Sequence, residues 1–343
     1  MSEHEITVSK PLLDSAGNLT EAGYCRTLLP VYSKPRSFQA RFHTKEWDYY
    51  YIGNPHYALV LTIADNGYMG LDSISFLDFD RKWEVTKSKM QTMTMGKKML
   101  PLTSVSGDVA SRGKGYALEF QNPGPSRHLS AVMEDFKDGQ KITADITLSS
   151  IPAQSMVICT PFDKPGHYYF NQKINTMRAS GKVHIGPVTY EFDPGDSFAT
   201  LDWGRGIWTY QNTWYWSSLN ADVNGHAFGW NLGYGFGDTR AASENMLFYD
   251  GRVHKLDRVD FAIPQKDGRD RFLEPWQITS NDQRIEMRFE PVLDRASLTD
   301  ALLLKSDQHQ VFGRFSGTAV LDDGRKITLD HAMGFAEKVF NRW

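Results

Sequence analysis

Apolar and polar positions alternate along most of this chain in short runs, which is the period of β-strands. The pattern predicts strands over Phe38–Phe42, Trp47–Ile52, Tyr57–Ala64 and Tyr68–Phe76, with Asp65-Asn66-Gly67 turning between the last two. Further hairpins are marked by four two-residue turn signals. Asp138-Gly139 separates Leu129–Phe136 from Ile142–Leu148, and Asn224-Gly225 separates Trp214–Ala221 from Ala227–Tyr234. Asp250-Gly251 separates Asn245–Tyr249 from Val253–Leu256, and Asp323-Gly324 separates Gly317–Leu321 from Lys326–Leu329. Asn-Gly and Asp-Gly supply the positive-φ pair of a tight hairpin, so each argues for antiparallel pairing. Helical periodicity is nearly absent. Its best candidate is Ser297–Lys305, with Ser297 as N-cap, or a short helical turn near Asp294–Thr299 leading into a strand. The class is all-β, in the manner of barrels or sandwiches.

One stretch concentrates the aromatic residues. Asp202-Trp203-Gly204-Arg205-Gly206 through Trp214-Tyr215-Trp216 holds four of the nine tryptophans and two tyrosines. Read as one strand, it puts Trp208, Tyr210, Trp214 and Trp216 on one face with Asn212 among them, and Trp203 and Tyr215 on the other. Such a face is either a packed barrel interior or the wall of a pocket for an apolar ligand. Asp202, Arg205, Gln211 and Asn212 argue for the pocket, because packing alone is served by aliphatic residues that make no hydrogen-bonding demand. A second mixed run, His167 through Lys173, places His167, Tyr169 and Asn171 on one face.

Composition narrows the function classes. At 343 residues, 41% hydrophobic and 23% charged, the chain reads as soluble and globular, with room for one large domain or two. A net charge of −3 gives no general reason to bind nucleic acid. Cys25 and Cys159 fit two free thiols better than a disulfide framework. The first residues lack a basic region followed by an apolar one, and no stretch approaches the ~20 apolar residues of a membrane helix, so a cytoplasmic location is expected. Nucleophile-elbow, phosphate-loop, dinucleotide and zinc-helix motifs are missing, and the ten histidines do not fall at metal-ligand spacing. No metal is expected.

The carboxylates carry more. Asp202 stands three residues from Arg205, Glu46 and Asp48 flank Trp47, and Glu337 follows Gly334-Phe335-Ala336. A carboxyl in an aromatic cavity has its pKa raised by desolvation and becomes a general acid; one beside an arginine stays ionised. An Asp202–Arg205 pair pinning a loop is the structural alternative.

These residues also resemble a family. Asp202-Trp203-Gly204-Arg205-Gly206 through Trp214-Tyr215-Trp216, Leu247-Phe248-Tyr249-Asp250-Gly251 and the closing Gly334-Phe335-Ala336-Glu337…Asn341-Arg342-Trp343 are similar to the DUF2804 family. So are Gly17…Gly23-Tyr24-Cys25-Arg26 and Trp47-Asp48-Tyr49. A remoter resemblance is to the lipocalin-like group of carotenoid 1,2-hydratase, AttH-like proteins and tocopherol cyclase. There Gly181…Gly186, Asp202-Trp203-Gly204 and Trp214-Tyr215-Trp216 would be the counterparts, with Asp directly before Trp-Gly rather than separated from it by two residues. The resemblance implies two lipocalin-like (calycin-type) β-barrel domains packed together. It also implies cofactor-free acid–base chemistry, of hydratase, cyclase or isomerase type, on an apolar, often isoprenoid, molecule.

The resulting expectation has an N-terminal capping segment at 1–35, a first barrel at 36–190 and a second at 198–343. Asp202 or Glu337 would be the general acid. Trp203, Trp208, Tyr210, Asn212, Trp214, Trp216, His167 and Tyr169 would bind the ligand, and Arg205 would tune Asp202 or hold a polar end. A carrier of a hydrophobic small molecule, with no proton donor at the ligand, is the alternative. A barrel packed solid would make the chain a scaffold. Oligomeric state is not legible.

Overall fold

In this computed structural model the described residues are 3–301 and 304–342. Strands form two large antiparallel sheets, one from residues 23–207 and one from 211–342, each curled into a half-barrel in the lipocalin-like manner. The hairpin signals explain much of the order. Asp138-Gly139, Asn224-Gly225 and Asp250-Gly251 each join paired strands, with both residues of each turn at positive φ. At Asp323-Gly324 only the glycine is at positive φ, and the pairing closes at Val320 with Lys326, so the loop is longer than two residues.

Three expectations change. Phe38–His43 is a short helix, not a strand: Ser37 caps it by accepting from the Ala40 amide at 3.1 Å. The region around Asp294–Thr299 is strand throughout, inside Ile285–Ala301, which pairs along its length with Leu304–Val320. The tail of that helical expectation, Leu302 and Leu303, lies outside the described residues, as does Trp343. Finally, Phe198–Ile207 is hydrogen-bonded between Thr44–Gly53 and Tyr168–Ile185. The chain therefore changes sheets at 208–210 and not between 190 and 198.

Side-chain parity organises the interior. From Phe198–Ile207, Ala199, Leu201 and Trp203 enter the core of the first half-barrel, while Thr200, Asp202 and Gly204 face the second. The second half-barrel has its own core around Trp230, Trp276, Phe289 and Phe315. The two sheets then meet by their outer faces through two apolar clusters. One joins Tyr51, Val60, Leu77 and Phe79 to Trp216, Phe312 and Phe335; the other joins Tyr24, Ile158 and Tyr169 to Phe236, Met246 and Phe248. Polar links add register: Asn175 Nδ2 donates to Ser218 Oγ at 2.9 Å and to the Trp230 carbonyl at 3.0 Å. Cys25 and Cys159 are buried free thiols. Among the described residues no helix is long and apolar enough to cross a membrane.

Gly204 pairs with Trp47 across the sheet, and a Cβ at residue 204 would overlap the Trp47 indole. Gly204→Ala is therefore expected to cost about 1–3 kcal/mol by overpacking. Denaturant unfolding at neutral pH checks this; a variant as stable as wild type contradicts it.

Candidate active site

Between the two apolar clusters the sheets leave a cavity of about 200 Å³. The first sheet supplies Trp47, Tyr49, Tyr169, Lys173 and Asp202; the second supplies Trp214, Trp216, Gln308, Gln310, Glu337 and Val339. Arg295, Glu244, Phe236 and Trp208 complete the wall. The contributors sit at alternate positions of their strands: 47 and 49, 169 and 173, 214 and 216, 308 and 310, 337 and 339. The site is thus inside neither half-barrel but between them. Its rings interlock edge to face, with Trp208 centred 4.9 Å from Phe236 and 5.4 Å from Trp47.

Two ionic arrangements share this space. Lys173 Nζ is 2.8 Å from Asp202 Oδ2, 3.8 Å from Glu244 Oε2, and 3.9 Å above the Trp216 ring. Asp202 also accepts from Asn171 Nδ2 at 2.6 Å, so its carboxylate is held by a cation and an amide. Burial pushes the Glu244 carboxyl up, opposed by Lys173 and by the Asn231 amide. Among the described residues no cation forms an ion pair with Glu337. Its Oε1 accepts from Trp214 Nε1 at 2.9 Å and its Oε2 from Gln310 Nε2 at 2.8 Å. Burial outweighs these hydrogen bonds and the field of Arg295, and pushes the carboxyl up to about 7. Gln310 Oε1 is buried without a partner. Turning that amide over would give a protonated Glu337 an acceptor for its hydrogen. The arrangement places a carboxyl whose neutral form burial favours, Glu337, and a cation-paired carboxylate, Asp202, in one small space, a geometry suited to paired acid and base work.

The structure gathers only part of the predicted set. Asp202, Glu337, Tyr169, Trp208, Trp214 and Trp216 line the cavity. Trp203 and Arg205 do not: their odd positions turn them into the first half-barrel, where Arg205 is wholly buried. The Arg205 guanidinium lies 4.1 Å above the Trp203 ring, 3.1 Å from Asp48 and 3.7 Å from Glu46. An Asp202–Arg205 pair therefore does not form, because the two side chains leave the strand on opposite faces. The single aromatic strand does not form either. Strand structure stops after Ile207 and resumes at Gln211, and Asn212 pins the break by exchanging hydrogen bonds with Thr209 at 2.9 and 2.6 Å. Tyr210, 53% exposed, and His167 line a separate surface trough. Lys173 and Gln310 were missed as site residues. The available signal was phase: Lys173 follows Tyr169 and Asn171 at the same parity. Among the described residues no group of three or more His, Cys, Asp or Glu is set to hold a metal.

Two half-barrel sheets packed outer face to outer face define a two-domain lipocalin-like protein. The chain belongs to the DUF2804 family, described as a domain of unknown function, whose model matches residues 3–343. Among solved structures, an AttH-like protein from Nitrosomonas europaea aligns over 91% of this chain and 98% of its own, with TM-score 0.53 and 10% identity. CghA solved with Sch210972 aligns over 98% and 97%, with TM-score 0.53 and 11% identity. Kievitone hydratase from Nectria haematococca aligns over 97% and 98%, with TM-score 0.49 and 10% identity. At these identities the likeness is one of fold. No curated protein matches the chain.

The Glu337 environment has a thermodynamic consequence. Unfolded, the side chain titrates near 4.5; folded, it titrates near 7. Its neutral form is the one the fold accommodates, so this contribution to stability is complete below pH 4.5 and is lost as pH rises through about 7. The gap between 4.5 and about 7 corresponds to roughly 3 kcal/mol. Urea unfolding across that range should show wild type losing stability relative to Glu337→Gln by this order. Parallel pH profiles would contradict it.

Proposed function

We propose that this chain is an enzyme that performs acid–base chemistry, of hydratase, cyclase or isomerase type, on a hydrophobic small molecule held between its two sheets. The observation that carries the reading is Glu337: a buried carboxyl raised to about 7, beside tryptophan rings and in the same cavity as the Lys173–Asp202 pair. A carboxyl titrating near the working pH is an effective proton donor. Asp202 and Glu337 both border the cavity and are not tied to backbone amides outside a barrel, which favours an enzyme over a carrier.

In a hydration, Glu337 would give its proton to one carbon of an alkene as the π bond breaks. The positive charge developing on the other carbon would face the rings of Trp47, Tyr169 and Trp214. Water would add there, and its surplus proton would pass to Asp202, whose carboxylate Lys173 contacts at 2.8 Å. In a cyclisation or isomerisation the same cation would be quenched by an internal nucleophile or by loss of a neighbouring proton. The volume of about 200 Å³ limits the reacting portion to a ring-sized group, since an apolar cavity of ~150 Å³ holds benzene.

The test is native mass spectrometry with solvent extraction on protein purified from its own host, comparing wild type with Glu337→Gln and Asp202→Asn. The reading expects Glu337→Gln to retain an apolar molecule in chemically different form from any on wild type. It also expects turnover of that molecule by Glu337→Gln to fall by about 10²- to 10⁴-fold, the usual worth of a general acid. The same unaltered molecule on all three proteins would identify a carrier instead.

A further inference from the structure

A larger concavity lies beside the one that holds Glu337. It is an open trough of about 1220 Å³, bounded by the N-terminal segment, the Phe38–His43 helix, the turn before Tyr168 and residues 207–210. Six basic side chains border it: Lys34, Arg36, His43, Lys45, Lys164 and His167. Among the described residues the one carboxylate on its wall is Asp14, which accepts the Ala16 and Asn18 amides of its own turn. This is a local excess of positive charge on a chain whose net charge is −3.

The charges are crowded and only partly countered: Lys34 Nζ lies 3.5 Å from Glu46 Oε2, and the field of Asp65 favours the charged form of Lys45. Lys45 is 4% exposed, and its Nζ donates to the Asn66 carbonyl at 2.9 Å and lies 4.0 Å above the Tyr68 ring. Among the described residues it makes no ion pair, and burial pushes its ammonium down to about 7. His43 is pushed down by burial and then by the fields of Lys45, His167 and Lys164. Basic groups that outnumber their counter-charges in a concavity raise the local concentration of anions, and a bound anion would favour the charged forms of Lys45 and His43.

The trough is not isolated from the cavity. Trp208, on the segment between the two sheets, belongs to the wall of both. Its Nε1 is buried without a partner. A cavity of about 200 Å³ accommodates only part of a larger apolar molecule, and the trough is the neighbouring space available to the remainder.

We propose that the trough binds the anionic end, carboxylate or phosphate ester, of an amphipathic molecule whose apolar body reaches past Trp208 toward the Glu337 cavity. The destination of the body rests on the acid–base reading; the anionic end rests on the trough's own charges.

The experiment is calorimetric titration of wild type, Arg36→Glu/Lys164→Glu and Glu337→Gln with decanoate and decyl phosphate, against decanol and decyltrimethylammonium. Both substituted basic residues are exposed, so the double variant is expected to fold; Lys45→Met, which keeps the apolar stem, is the second variant. Wild type and Glu337→Gln should bind the two anionic probes alike, and decanol more weakly by about tenfold or more. The double reversal and Lys45→Met should lose that preference while leaving decanol unchanged. Sedimentation with phosphatidylglycerol vesicles distinguishes the source. Co-sedimentation that the double reversal abolishes assigns the head to a lipid in a bilayer; decyl phosphate binding without co-sedimentation assigns it to a free amphiphile. Equal affinity for decanol and decanoate, or a double reversal that binds as wild type does, overturns the proposal. Should turnover depend on Glu337 while binding ignores the head group, this inference fails and the acid–base reading stands. Charge-dependent binding with undiminished turnover by Glu337→Gln upholds the anionic end and overturns the acid–base reading.

Discussion

Removal of water from the contact between the two sheets governs the chemistry of this molecule. Each half-barrel fills its concave side with its own core, so the faces left to meet are the outer ones. Where those faces are apolar they close tightly. Where they carry Asp202, Lys173, Glu244 and Glu337, a buried charge is costly unless another group matches it. Lys173 and Asp202 meet this demand by pairing, and Glu337 meets it by hydrogen bonding to Trp214 and Gln310 and by keeping its proton. One desolvated space thereby holds two carboxyls in different company, Asp202 against an ammonium and Glu337 against neutral hydrogen-bond donors.

The same parity that builds the interface decides which residues belong to it. Asp202 and Trp203 are neighbours in sequence and occupy different interiors. Trp203 and Arg205 stack against each other within the first half-barrel, where Asp48 and Glu46 balance the guanidinium. The Asp-Trp-Gly-Arg motif therefore serves two purposes at once. Its odd residues anchor a buried charge cluster, Asp202 faces the cavity, and Gly204 leaves room for the Trp47 ring.

Much of this was legible in the amino-acid order. Alternation and Asp-Gly or Asn-Gly turns mark strands wherever neighbours pair locally, and the aromatic stretch around Trp214 does border the cavity. What escaped depends on distant partners. Nothing local distinguishes Phe38–His43 as a helix except the Ser37 cap, because six residues alternate as easily as they coil. The break at 208–210 is fixed by Asn212 with Thr209 and by the change of sheet, which a one-strand reading of even spacing hides. Lys173, Glu244 and Gln310 join Asp202 and Glu337 only because strands far apart in sequence meet back to back. Pairwise contacts of that kind carry no sequence-local signature.

The central claim is that the inter-sheet cavity keeps the Glu337 carboxyl protonated far above the ordinary range of a glutamate. Infrared difference titration of the protonated carboxyl C=O stretch, wild type minus Glu337→Gln, reads that state directly. The account predicts a band present only in wild type and half-titrated at about 7. A difference band that disappears near the ordinary value of 4.5 would contradict it.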